Sequence, residues 1–165
     1  MAPEKQGLAP QAIALGLDAQ GKIALLEAAA QLLKGCCGID AEPAFRALYR
    51  RERAGSTAVG DGLAIPHARI PGIDAPVTLY LRTRLPMRFG AADGKPVAEF
   101  FVIVVPVGGA PETQLGLLRE VAKRFSQPAF RALLAAAPSE TDVAAVFAQW
   151  SERQDDQGEA LQGIS

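Results

Sequence analysis

The chain has 165 residues, the length of one ordinary domain that can bury a real core. Apolar residues make up 49% of it, and 17 basic against 18 acidic side chains leave a net charge of -1, which gives no electrostatic footprint for nucleic acid or an anionic membrane. No run approaches the roughly 18 apolar residues of a membrane span, and Met1-Ala2-Pro3-Glu4-Lys5-Gln6 lacks the basic-then-apolar pattern of a secretory signal, so the expectation is a cytoplasmic protein with no membrane insertion.

Residues 1–11 are polar and broken by Pro3, Gly7 and Pro10, and are expected to be a flexible N-terminus. Ala12-Ile13-Ala14-Leu15 reads as a short strand. Asp18 is placed to cap a helix from about Ala19 to Lys34, in which Ile23, Leu26, Ala30 and Leu33 repeat at helical spacing and Gly35 supplies the stop. Cys36 and Cys37 follow. Adjacent cysteines make a strained bridge and, with no histidine beside them, a poor zinc site; two small, partly buried side chains at a helix end are expected.

Asp40 followed by Pro43 marks a second helix through Phe45, Leu48 and Tyr49 to about Arg53. Residues 54–62 form a loop of small side chains, and Leu63-Ala64-Ile65 is a short strand with Pro66-His67 at its end. Val77–Thr83 has good β-propensity, Ala91–Pro96 is turn chemistry, and Ala98–Val105 is apolar throughout, as a central strand covered on both faces would be. A helix follows from about Glu112 to Phe125, then a short one capped by Ser126 with Pro128 in its first turn. Ser139-Glu140-Thr141-Asp142 resembles a capping box before a last helix ending at Trp150. Residues 151–165 are expected to be a flexible tail. Strands mixed with covering helices imply an α/β fold, a central mixed β-sheet flanked by helices, as a single domain over 12–150.

The chain's one histidine is His67, in Gly60-Asp61-Gly62-Leu63-Ala64-Ile65-Pro66-His67-Ala68-Arg69. A lone imidazole has no second histidine with which to hold a metal or relay a proton, but neutral imidazole can carry a transferable group on one ring nitrogen. Upstream, Arg50-Arg51-Glu52-Arg53-Ala54-Gly55-Ser56-Thr57 joins cations to two hydroxyls before a Gly-rich loop. Arginine offers a planar fork for phosphate, and hydroxyls with loop N–H groups can hold phosphoryl oxygens. Together these residues have the chemistry of phosphoryl transfer, and the absence of a Walker loop argues against ATP as donor. On residue types alone, an ordinary structural histidine beside solvated arginines stays open.

The segment from Arg51 through Ser56-Thr57 to Ile65-Pro66-His67 resembles the active-site signature of the type-2 (fructose- and mannitol-like) EIIA domains of the bacterial phosphotransferase system, and within that family its nitrogen-regulatory branch. The likeness runs from about Ile13 to Trp150 and includes Asp93-Gly94-Lys95-Pro96-Val97 and Val121-Ala122-Lys123-Arg124-Phe125. It implies that His67 accepts a phosphoryl group on Nε2 from a small phosphohistidine carrier resembling HPr or its nitrogen-branch counterpart NPr. Arg51 would neutralise phosphate charge, and Ser56 and Thr57 would bind phosphate and shape the pocket loop. No metal or organic cofactor is implied.

Two departures stand out. Gln114 falls where many type-2 EIIA domains carry a second histidine; its amide can donate to a phosphoryl oxygen but cannot become cationic. Ala68 stands where the nitrogen branch often has glycine. The resemblance therefore implies a phosphocarrier that regulates partner proteins by its phosphorylation state. The alternatives are a sugar-specific IIA that feeds a separate IIB, or a regulatory module that is never phosphorylated. Partners are expected to dock over Gly60 to Arg69 and apolar neighbours such as Phe89.

Overall fold

The computed structural model of the protein describes residues 8–150. This stretch contains six strands and five helices. They are β1 (Ala12–Leu17), α1 (Lys22–Cys37), α2 (Ala41–Ala54), β2 (Ala58–Gly60), β3 (Leu63–Ala64), β4 (His67–Ile70), β5 (Val77–Met87), β6 (Val97–Pro106), α3 (Pro111–Phe125) and α4 (Pro128–Ala136), followed by α5 (residues 140–150). The strands form one mixed sheet in the order β1-β5-β6-β3-β2, with β4 also on β6. β1 lies parallel to β5, β5 antiparallel to β6, and β3 and β4 run parallel to β6 one after the other along the same edge.

β6 is the strand buried on both faces, as its unbroken apolar run predicts. Phe100, Val102 and Val104 pack under α1 and α2 with Leu26, Leu33 and Leu48. Phe101, Ile103 and Val105 face α3, α4 and α5 with Val121, Phe125, Phe130 and Phe147. The alternation follows from the two-residue period of a strand. Phe125, Phe130 and Phe147 meet edge to face at centroid distances of 5.2–6.4 Å, a favoured arrangement for aromatic rings. Among the described residues no helix is long and apolar enough to cross a membrane.

Several boundaries differ from the sequence reading. α1 starts at Lys22 because Gly21 turns the chain with a positive φ of 93°; Asp18 makes no cap and instead meets Arg84 at 3.3 Å. The helix runs through Gly35 and stops at Gly38, whose left-handed conformation (φ 66°) suits glycine. Cys36 and Cys37 therefore occupy the last turn, and both are exposed rather than partly buried. Residues 54–62 are not all loop: β2 and β3 form a hairpin across Asp61-Gly62, both with positive φ, the conformation a two-residue turn of this kind needs. Ser126 does not cap α4; its hydroxyl donates to the Lys123 carbonyl at the end of α3, and Gln127 precedes the Pro128 that opens α4. The Ser139 cap is present, with its Oγ accepting from the Asp142 N–H at 3.1 Å.

Of the N-terminal stretch, Leu8 is buried and the Gln11 side chain accepts from the Thr78 N–H at 2.7 Å. Residues 1–7 and 151–165, expected to be loose, lie outside the described residues.

Candidate functional site

Pro66 places His67. Proline has no N–H for the ladder, so the strand beside β6 breaks between β3 and β4. The Pro66 carbonyl still accepts from the Ile103 N–H at 2.9 Å, and pairing resumes with His67 opposite Ile103. His67 therefore opens a new strand instead of closing the old one. Ala68 and Ile70 belong to the core under α1 and α2, so strand alternation turns His67 and Arg69 to the other side.

Two contacts fix the imidazole. Its Nδ1 lies 2.8 Å from the Ile65 carbonyl oxygen, which can only accept, so Nδ1 carries the proton. Nε2 is then the lone-pair nitrogen, and Arg51 donates its Nε–H to it at 3.3 Å. Burial lowers the pKa of His67 below the usual 6.5; the Ile65 carbonyl opposes this, the Arg51 charge adds to it and the Glu52 charge opposes it. The half-buried ring is held neutral, in one tautomer, with its nucleophilic nitrogen against a guanidinium.

Arg51 stands in the last turn of α2 and is itself held, with Nη1 donating to the Gly55 carbonyl at 2.7 Å. Next to it, Glu52 is buried and takes three donors: the Thr57 N–H at 3.1 Å, the Thr57 hydroxyl at 2.5 Å and the Lys22 ammonium at 2.9 Å. Ser56 donates to the Phe89 carbonyl and accepts from the Ala58 N–H at 3.1 Å. Both hydroxyls of the Ser56-Thr57 pair are thus committed to protein groups and hold the loop against α2 and Phe89. Gln114 lies on α3, and its Oε1 accepts from Arg69 Nε at 3.0 Å.

Of the residues singled out in the sequence, the structure brings His67 and Arg51 into contact, puts Ser56 and Thr57 behind Arg51 in the supporting loop, and connects Gln114 to the His67 strand through Arg69. Phe89 is not part of any docking face. It is buried against Phe100, with the Lys22 ammonium 4.9 Å from its ring centroid. Glu52 and Lys22 were not foreseen. Glu52 shares the buried stripe of α2 with Ala44 and Leu48 at spacings of four, so a carboxylate on an apolar stripe was a readable signal; Lys22, 30 residues away, carries none. A second polar cluster lies farther along β6, where Tyr80 donates its hydroxyl to Glu99 and accepts from Arg82, and Arg131 reaches both Glu99 and the Asp61 carbonyl.

Comparison with known proteins gives a consistent picture. The family described as "Phosphoenolpyruvate-dependent sugar phosphotransferase system, EIIA 2" has a model that matches residues 7–150. A "Nitrogen regulatory protein" of Pseudomonas aeruginosa is 41% identical over 100 residues, 61% of this chain and 64% of that protein, so the match spans just under two thirds of that relative. A "PTS system fructose-specific EIIA component" of Haloferax volcanii is 33% identical over 110 residues, 67% of this chain and 71% of its own length. The crystal structure of the nitrogen regulatory protein IIA-Ntr from Neisseria meningitidis superimposes with a TM-score of 0.78 at 34% identity, covering 88% of this chain and 99% of that one.

Proposed function

Because the chain belongs to the type-2 EIIA family of the phosphoenolpyruvate-dependent sugar phosphotransferase system, whose members are phosphotransfer proteins, we propose that His67 accepts a phosphoryl group on Nε2 from a phosphohistidine carrier of the HPr or NPr kind. The observation that supports this most is the pair of contacts on one ring: the Ile65 carbonyl holds the Nδ1 proton at 2.8 Å, and Arg51 faces Nε2 at 3.3 Å.

In the transfer, the Nε2 lone pair forms a new N–P bond as the N–P bond of the carrier breaks, and the bonding pair stays on the carrier's ring nitrogen. No proton has to move, because Nδ1 keeps its hydrogen on the Ile65 carbonyl and the phosphorylated ring becomes an imidazolium beside a dianionic group. Arg51 Nε, which loses its acceptor when Nε2 is taken, then donates to a phosphoryl oxygen. Positioning and charge stabilisation supply the rate in such a step. Ser56 and Thr57 act by holding the loop in shape, and Gln114 offers its amide N–H groups at the α3 side.

The physiological role proposed is regulation in the nitrogen branch. The nitrogen regulatory likeness of the Pseudomonas and Neisseria proteins supports it. A dianionic phosphoryl group on an imidazolium ring adds about one net negative charge to the rim of β4, which favours some partners and disfavours others. The likeness to a fructose-specific component supports a second reading, delivery of phosphate to a separate IIB protein.

The test is incubation with Enzyme I, the small carrier and phosphoenolpyruvate, read by intact mass. Wild type is expected to gain one acid-labile phosphoryl group and His67→Ala none. A carrier that becomes phosphorylated while wild type gains nothing would rule the reading out.

A further inference from the structure

Four residues beyond His67 and Arg51 form one connected chain of contacts that ends on the reacting nitrogen. Lys22 Nζ meets Glu52 Oε1 at 2.9 Å, and Glu52 takes both the N–H and the hydroxyl of Thr57. Thr57 fixes the loop that contains Gly55, whose N–H returns to the Glu52 carbonyl at 3.2 Å. The Gly55 carbonyl receives Arg51 Nη1, and Arg51 Nε points at His67 Nε2.

A guanidinium has five donors on a rigid fork, so fixing one N–H fixes the direction of the others. Arg51 is half-buried in the last turn of α2; without the Gly55 carbonyl its long side chain would have many rotamers. Glu52 holds the loop as an acceptor, with three donors converging on its two oxygens. Its side chain is 2% exposed, and a buried charge of this kind is retained when a counter-charge and hydrogen bonds satisfy it. Lys22 supplies the counter-charge from the first turn of α1. The same ammonium lies over the Phe89 ring, whose carbonyl receives Ser56, so one cation braces both sides of the loop.

We propose that Glu52 and Lys22 are positioning residues for phosphoryl transfer, aiming the Arg51 guanidinium at the phosphoryl group on His67 through Thr57 and Gly55. This rests on the phosphotransfer reading given above. Neither residue touches the phosphoryl group. Their effect is on the rate of the bound complex, because the geometry they set is used when the N–P bonds form and break. Misplacing a catalytic group by about 1 Å costs up to roughly 100-fold in rate.

The variants are Glu52→Gln, Lys22→Met, Lys22→Arg and Thr57→Val in the full chain, each checked for cooperative unfolding and then assayed for transfer from the phosphorylated carrier. For Glu52→Gln we expect kcat lower by roughly 10- to 100-fold with KM for the carrier within about two-fold. Lys22→Met should fall in the same direction, and Lys22→Arg should recover most of what Lys22→Met loses. The imidazole of His67 gives a separate readout by NMR: of the charged groups that face it, Arg51 lowers and Glu52 raises its pKa, so Glu52→Gln should move it further down. If Glu52→Gln does not fold, Thr57→Val, which keeps the carboxylate and removes one donor, carries the kcat test. Folded variants with wild-type kcat, or with the whole loss in KM, overturn the positioning role while leaving His67 phosphorylation intact. A wild type that takes no phosphoryl group overturns both.

Discussion

Replacing Arg51 tests the chemistry of the site at its one direct charge contact. Its Nε stands 3.3 Å from His67 Nε2, so a phosphoryl group bonded to Nε2 meets the guanidinium at about hydrogen-bond distance, with charge centres near 4 Å. Two unit charges at that separation attract by about 1 kcal/mol in water and about 4 kcal/mol at the effective dielectric of a protein surface. The ring and Arg51 are half-buried, which places the loss for Arg51→Ala between these limits, about 2.5 kcal/mol, or roughly 100-fold in kcat/KM. Arg51→Lys keeps the charge but cannot serve the Gly55 carbonyl and the phosphoryl group with one planar fork, and the expected loss is about 10-fold. Rapid-quench measurement of transfer from the phosphorylated carrier gives both values. The Arg51 charge also lowers the His67 pKa, so the imidazole of Arg51→Ala should titrate higher than that of wild type. An Arg51→Ala rate within about three-fold of wild type would refute the reasoning, as would a lysine variant as slow as the alanine one.

Other expectations follow from the same geometry. The lowered pKa of His67 means that in the window between its folded value and 6.5 the unfolded chain binds more protons than the folded one; stability therefore rises with pH across that window and is lost as pH falls through it. Chemical denaturation of wild type and His67→Gln at pH 5 to 8 should show the wild-type slope alone carrying this component. Gly90→Ala puts a side chain at a φ of 78° and a Cβ 3.1 Å from Ser56 Cβ, which should cost about 2 kcal/mol and lower Tm by about 4–8 °C; an unchanged Tm would contradict it. Tyr80→Phe removes the hydroxyl between Glu99 and Arg82, at 3.0 and 3.1 Å, and should cost about 1 kcal/mol in urea unfolding with transfer activity retained.

The parts of this protein that were readable in the sequence are those set by local pattern. The buried run Ala98–Val105 announced β6, Asp40 and Pro43 announced α2, and Ser139 with Asp142 announced α5. Errors arose where one residue had to choose between equivalent local roles. Gly35 and Gly38 are both helix stops on paper, and only the backbone shows that Gly38 takes the left-handed conformation. Asp18 is a fair cap until Gly21 delays the helix and Arg84 is within reach. The hairpin at Asp61-Gly62 had a proper turn signal, hidden by strands of only three and two residues. At the site, the family resemblance put Arg51 beside the phosphoryl group on His67, and the two side chains do meet; residue types and spacing alone did not show it, because the placement of His67 depends on Pro66 interrupting the strand beside β6. Backbone groups left no trace in side-chain chemistry, and the Ile65 carbonyl that selects the tautomer is one of them.

The most direct test of the central claim is the imidazole of His67 itself. Long-range proton–nitrogen NMR on the 15N-labelled protein reads which ring nitrogen bears hydrogen and which bears phosphorus. Before phosphorylation the account predicts a neutral ring with hydrogen on Nδ1, and after transfer from the carrier a ring phosphorylated on Nε2 that keeps its Nδ1 hydrogen. Hydrogen on Nε2 in the free protein, or phosphorus on Nδ1 after transfer, would contradict it.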